Sequence, residues 1–201
     1  FREVGDVHGE ADVLNNLGIV HELLDDYQAS VERYRQALAL YRQTGHAVGE
    51  ASALGNLGIV LARLGDHTAA AGRFEQALAV FRRLGHTGGE AHALSNLGDA
   101  LCHQGAYEEA AEHQRQALVH FRRTGEPYGE AGALNGLGEA LHGAGAHTEA
   151  LEAHASALEV ACGIGEQEEQ ARAHIGTALV RQDRGEPGQA ADHLRQAVSL
   201  Y

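Results

Sequence analysis

The stretch GEASALGNLGIVLARLGDHTAAAGRFEQALAVFRRLGH, residues 49–86, decides the fold. Leu54, Leu57, Gly58 and Leu61 recur at i, i+3, i+4 and i+7, which is one apolar stripe of a helix. Past Gly65-Asp66 a second stripe follows, Ala70, Phe74, Ala77, Leu78 and Phe81, and Gly85 stands where a left-handed residue stops a helix. The segment therefore predicts a pair of helices. Gly58 is the oddity, because a glycine inside a helix costs about 1 kcal/mol relative to alanine.

The pattern returns every forty residues. Gly9-Glu10-Ala11 recurs as Gly49-Glu50-Ala51, Gly89-Glu90-Ala91 and Gly129-Glu130-Ala131, with Gln170-Ala171 in the fifth place. Leu17-Gly18, Leu57-Gly58, Leu97-Gly98 and Leu137-Gly138 keep the same step, as do Ala37-Leu38 through Ala157-Leu158, ending at Ala197-Val198. Five repeats follow, approximately 8–45, 46–85, 86–125, 126–165 and 166–201, read as one domain over 1–201 with about ten helices. Gly65, Gly105, Gly145 and Gly185 mark the turn inside a pair, and Gly45, Gly85, Gly125 and Gly165 end the second helix. Pro187 suits the first turn of the last helix. The interior glycines share one phase, with Ala178 in the fifth repeat, and the second helices carry Ser30, Ala70, Ala110, Ala150 and Ala190 to meet them. Small residues on both sides let two helices cross closely, so these glycines read as packing devices rather than ligand loops.

On Leu54, Leu57, Gly58, Leu61, Ala70, Phe74 and Ala77 the chain resembles the tetratricopeptide (TPR) repeat family over its whole length. The forty-residue period, longer than the usual 34, makes it most similar to the TPR arrays of spindle-orientation adaptors and of actinobacterial multidomain regulators. The resemblance implies an all-α, right-handed superhelical solenoid of about five helix-turn-helix repeats whose first helices line a concave groove. His67 and His147 stand where Tyr27 and Tyr107 carry the family's aromatic, and Gln114 and His154 replace the aromatic of Tyr34 and Phe74. In repeat five His174, Thr177 and Arg181 take places expected to be Leu, which predicts a shifted or frayed first helix there. Phe1-Arg2 shares the phase of Tyr41-Arg42, so the chain is expected to begin inside a second helix and to be an excerpt of a longer array, able to associate end to end.

Composition bounds the function. The chain has 15 basic residues, all Arg, against 28 acidic ones, for a net charge of −13. Such a surface repels phosphate backbones and anionic lipid. With no Lys there is no Walker loop, and no GxSxG, HExxH or CxxC occurs, so no catalytic residue, cofactor or metal is assigned. Cys102 and Cys162 read as small buried thiols of a reducing, cytoplasmic compartment. No apolar run is long enough to span a membrane.

From the resemblance, the groove face is formed by residues flanking the Leu-Gly stripe: Asp12, Asn15, Asn16, Ser52, Asn56, Arg63, His92, Ser95, Asn96, Asp99, His103, Asn135, Glu139, His142 and Arg172. Asn16, Asn56 and Asn96 form a ladder at one phase, with Asn135 one residue earlier. An asparagine amide both donates and accepts, as an extended peptide backbone requires. Asp12, Asp99 and Glu139 favour a basic or mixed-charge protein segment. His103 beside Cys102, with His142 in a neighbouring repeat and Asp99 and Glu139 a turn earlier, offers metal-ligand types, but its members are strung along the groove rather than knit by a short motif. The reading is a peptide-binding scaffold, the sensor or regulatory part of a larger bacterial regulator; the alternative is a purely structural or self-associating module.

Overall fold

The computed structural model describes residues 7–201. These form ten helices and, among the described residues, no strand: α1 (Val7–Leu23), α2 (Tyr27–Thr44), α3 (Ala47–Arg63), α4 (His67–Leu84), α5 (Thr87–His103), α6 (Tyr107–Thr124), α7 (Pro127–Gly143), α8 (His147–Ile164), α9 (Gln167–Asp183) and α10 (Pro187–Val198). The fold class is an all-α helical-repeat solenoid. The expected start inside a second helix, on Phe1-Arg2, lies outside the described residues. Two compact units are present, one up to Ala100 and one from Leu101.

In the first unit α1 packs on α2, α2 on α3 and α3 on α4, and the first helices of neighbouring repeats, α1 and α3, touch. Asp26 and Asp66 cap the second helices, each carboxylate accepting the amide three residues on, from Ala29 at 3.3 Å and Ala69 at 3.0 Å. His46 and His86 do the same for α3 and α5 through Nδ1, which accepts from Gly49 N–H at 3.0 Å and Gly89 N–H at 2.9 Å. Arg42 and Arg82 reach across the repeat junctions to Glu50 at 2.8 Å and Glu90 at 2.9 Å.

The interior glycines have a specific partner that phase alone did not name. A Cβ on Gly58 would lie 2.5 Å from Phe74 Cε1, and one on Gly18 would lie 2.5 Å from Tyr34 Cε1. Each glycine is the seat of the second helix's buried aromatic ring. A second set, Gly49 and Gly89, seats Tyr41 and Phe81 of the preceding repeat, again at 2.5 Å. Ser30 adds a hydrogen bond from its hydroxyl to the Gly18 carbonyl at 2.8 Å, possible because the backbones approach so closely.

The turn glycines behave as expected: all eight from Gly45 to Gly185 have positive φ, between 65° and 82°. Repeat one departs from this, since the turn position held elsewhere by Gly65 and its equivalents is Asp25, at φ 56°. Asp25 also accepts a hydrogen bond from the Tyr27 hydroxyl at 2.7 Å on the surface. Because an L-residue strains in the left-handed region where glycine does not, Asp25→Gly is expected to raise stability by roughly 0.5–1 kcal/mol. A urea melt with an unchanged slope and a higher midpoint would show it.

In the second unit α6 through α10 pack each on the next, and α7 also touches α9. Pro127 and Pro187 sit in the first turns of α7 and α10. The first helix of repeat five is neither shifted nor frayed, contrary to the sequence expectation: α9 has 17 residues, like α3, α5 and α7, at the same forty-residue step. Polar pairing replaces leucine packing there, since His174 Nδ1 meets His193 Nδ1 of α10 at 3.0 Å. Cys162 also differs from expectation. It is exposed, because it stands at the phase of the surface arginines Arg42, Arg82 and Arg122; Cys102 is half-buried.

Candidate functional site

The polar residues singled out on the first helices fall into two groups, one in each unit. In the first unit Asn56 Nδ2 of α3 donates to Asn15 Oδ1 of α1 at 3.3 Å. The pair is offset by one residue from the ladder, and Asn16 lies exposed beside it. Arg63 reaches back to Glu22 of α1 at 3.4 Å, and Glu22 also accepts from the buried Tyr34 hydroxyl at 3.3 Å. Burial and the Glu22 carboxylate together push the Tyr34 phenol well above its ordinary pKa. Asp12 is exposed and accepts from the Tyr41 hydroxyl at 2.7 Å. Ser52, Ser95, Asn96 and Asp99 are half-buried, and His92 is exposed. These residues offer amide and acidic groups on the first helices of successive repeats.

In the second unit the predicted residues separate. His103 is exposed at the end of α5. Asn135 is fully buried, so it has no face for a peptide, which corrects its place in the ladder. Its Nδ2 donates to the Glu169 carbonyl at 3.0 Å and to Glu169 Oε2 at 2.9 Å, and its Oδ1 faces His154 Nδ1 at 3.2 Å. The amide oxygen can only accept, so Nδ1 carries a proton. Burial holds the His154 pKa down at about 4. Its Nε2 is left buried without a partner, which only a neutral, unprotonated nitrogen tolerates.

Glu139 and Arg172, both predicted, form a two-pronged pair between α7 and α9, Nε to Oε1 at 2.7 Å and Nη2 to Oε2 at 2.9 Å. Arg172 also stands 4.0 Å from Glu169. A polar chain therefore runs from His154 through Asn135, Glu169 and Arg172 to Glu139. His142 meets Asp183 of α9 at 2.8 Å, with His147 beside it.

Glu22, Asp183, His147 and Glu169 were not in the sequence-derived site. One signal existed for Glu169. Where earlier junctions pair Gly49 with Tyr41, Gly89 with Phe81 and Gly129 with Phe121, this junction has Ala161 and Glu169, so the ring that needed a glycine is gone.

No curated protein matches the sequence. Solved structures do resemble the fold. BtubC from P. vanneervenii superposes with a TM-score of 0.79 at 19% identity, over 96% of this chain and 80% of that one. A Rap protein complexed with competence and sporulation factor gives 0.83 at 17% identity, over 95% of this chain and 54% of that one. A MamA fragment from Desulfovibrio magneticus RS-1 gives 0.67 at 18% identity, over 95% and 94%. At these identities the likeness is one of fold. The tetratricopeptide repeat profile matches residues 1–43, 49–123, 89–163 and 129–201. Helix pairs at a forty-residue step, glycine seats under buried rings and a profile match along nearly the whole sequence converge, and the chain belongs to the tetratricopeptide repeat family.

Proposed function

We propose that the chain is a protein-binding scaffold that holds an extended segment of basic or mixed charge, as the sensor or regulatory region of a larger bacterial signalling or transcription regulator. The observation that carries this reading is the amide-lined face of the first unit, where Asn15 and Asn56 are already aligned by one hydrogen bond and each keeps further donor and acceptor capacity. Asn16 and Asn96 extend the amide set, and Asp12 and Asp99 supply negative charge beside it. Support by analogy comes from the Rap neighbour, which is complexed with a factor. No catalysis and no nucleic acid enter this reading, and its setting is the cytoplasm. No helix among the described residues is long and apolar enough to cross a membrane.

The alternative reading is self-association without a ligand.

The test uses fluorescein-labelled peptides of basic and of mixed charge, titrated against the chain and its Asn56→Ala/Asn96→Ala variant. Loss of backbone partners is expected to weaken binding about tenfold, the equivalent of one unsatisfied polar group. The thermal melt should move little. Equal affinity for the variant would move the site off this face. Mass that rises with concentration, with no peptide bound, would favour self-association.

A further inference from the structure

The turn end of repeat four brings together three side chains with metal-ligand chemistry. His142 lies in the last turn of α7, His147 opens α8 and Asp183 closes α9. One potential ligand atom from each lies within 4.8 Å of the other two. His142 Nε2 is 2.8 Å from Asp183 Oδ2, and the two imidazole rings meet edge to face with centroids 5.6 Å apart.

The scaffold makes this convergence wherever the same places can be compared. In the first unit they hold Glu22, Tyr27 and Arg63, and Arg63 reaches Glu22 at 3.4 Å. One repeat before the cluster they hold Cys102, Tyr107 and Gly143, where the Tyr107 ring lies so close that a Cβ on Gly143 would overlap it. The fold thus brings these places near one another, and in repeat four all three carry ligand types.

We propose that His142, His147 and Asp183 form a binding site for one divalent ion of the zinc, nickel or copper class, with water completing the shell. Two imidazoles and one carboxylate suit these borderline cations and leave a position open. Tetrahedral coordination at about 2.0–2.2 Å bond lengths would place ligand atoms roughly 3.3–3.5 Å apart. The described separations reach that by small side-chain rotations. The ion replaces the hydrogen bond between His142 and Asp183: its proton leaves to solvent, and the imidazole nitrogen and the carboxylate oxygen bind the ion directly. The neighbouring cations are partly offset, Arg172 by Glu139, and Arg181 and Arg184 by the one carboxylate of Glu186, at 2.5 and 3.1 Å.

This inference does not rest on the peptide-binding reading, and its test does not involve a peptide. Zinc alone is dialysed against the full chain and against His142→Gln, His147→Gln and Asp183→Asn, with bound metal measured by native mass spectrometry and elemental analysis. One zinc per native chain is expected at this site, and each variant should hold it more weakly by more than the roughly 10–100-fold that loss of an outer-sphere partner costs. Cobalt substitution gives a readout that a merely structural role would not move, a visible d–d spectrum of four-coordinate type that changes in all three variants. Unchanged helical circular dichroism keeps the comparison sound, as the three side chains lie at the surface edge of the unit. Zinc retained equally by the three variants, or no zinc held by the native chain, would overturn the site.

Discussion

Gly58→Val is expected to lower the stability of the first unit by about 3 kcal/mol, the upper part of the range for forcing extra carbons into a packed core. Helix propensity alone predicts the opposite sign, because valine is a better helix former than glycine. Sterics decide. Even a single Cβ would stand 2.5 Å from the Phe74 ring, and Phe74 is only 2% exposed, with nowhere to retreat. The double-mutant cycle identifies the cause. Phe74→Ala alone should cost about 3–5 kcal/mol through the cavity it leaves. Valine at 58 should then partly fill that cavity, so the two changes together cost several kcal/mol less than their sum. Urea melts supply the totals, and hydrogen exchange in α3 and α4 localises the loss. Additive effects would mean that the glycine is not a seat for the ring.

The second large effect is a dependence on acid. Folded, His154 is held neutral with a pKa near 4; unfolded, an imidazole titrates near 6.5. Between those values the unfolded chain binds a proton that the native chain refuses. Stability from this group is therefore fully present above about pH 6.5 and falls as pH drops toward 4, by up to about 3 kcal/mol. Burial is the main cause, Arg172 and His142 press the same way, and the Glu139 carboxylate opposes them. His174 and His193, also depressed chiefly by burial, add loss of the same sign. The control that isolates His154 is His154→Gln, because repeat three already buries Gln114 at that place. Chemical melts at pH 7 and pH 4.5 should show a smaller acid loss for the variant. An identical loss in both proteins would assign the acid sensitivity to other groups.

The fold was legible because its signals are periodic. Forty-residue spacing, turn glycines and the Leu-Gly stripe each state the same helix pair several times over, so a single deviation such as Asp25 or Thr177 does not disturb the pattern. The polar sites were legible only in part, since one helix's phase shows which way a residue faces but not what the next repeat brings to it. Asn15 was grouped with Asn16, yet it is Asn15 that Asn56 bonds, a shift of one residue. Asn135 carries the same residue type as Asn15 and is sealed inside, because Glu169 and His154 close over it from two other helices. His142 was marked as a groove residue, but its partners His147 and Asp183 come from the following helix and the following repeat. Repeat five departs from the leucine pattern because paired histidines fill the space there.

At the junction between repeats four and five, four places change together. Phe121 and Gly129 become Ala161 and Glu169, and the ion pair of Arg122 with Glu130, at 2.7 Å, becomes Cys162 and Gln170, whose side-chain amide now donates to the Ala161 carbonyl at 3.3 Å. Each of these partnerships straddles a repeat boundary. These four places therefore group a second helix with the first helix that follows it, out of step with the hairpin by which such repeats are usually drawn. A chimera spliced at residue 165 would set Glu169 against a foreign aromatic, whereas one spliced in the turn at 145 would keep Ala161 with Glu169 and Cys162 with Gln170 but would part Glu169 from Asn135.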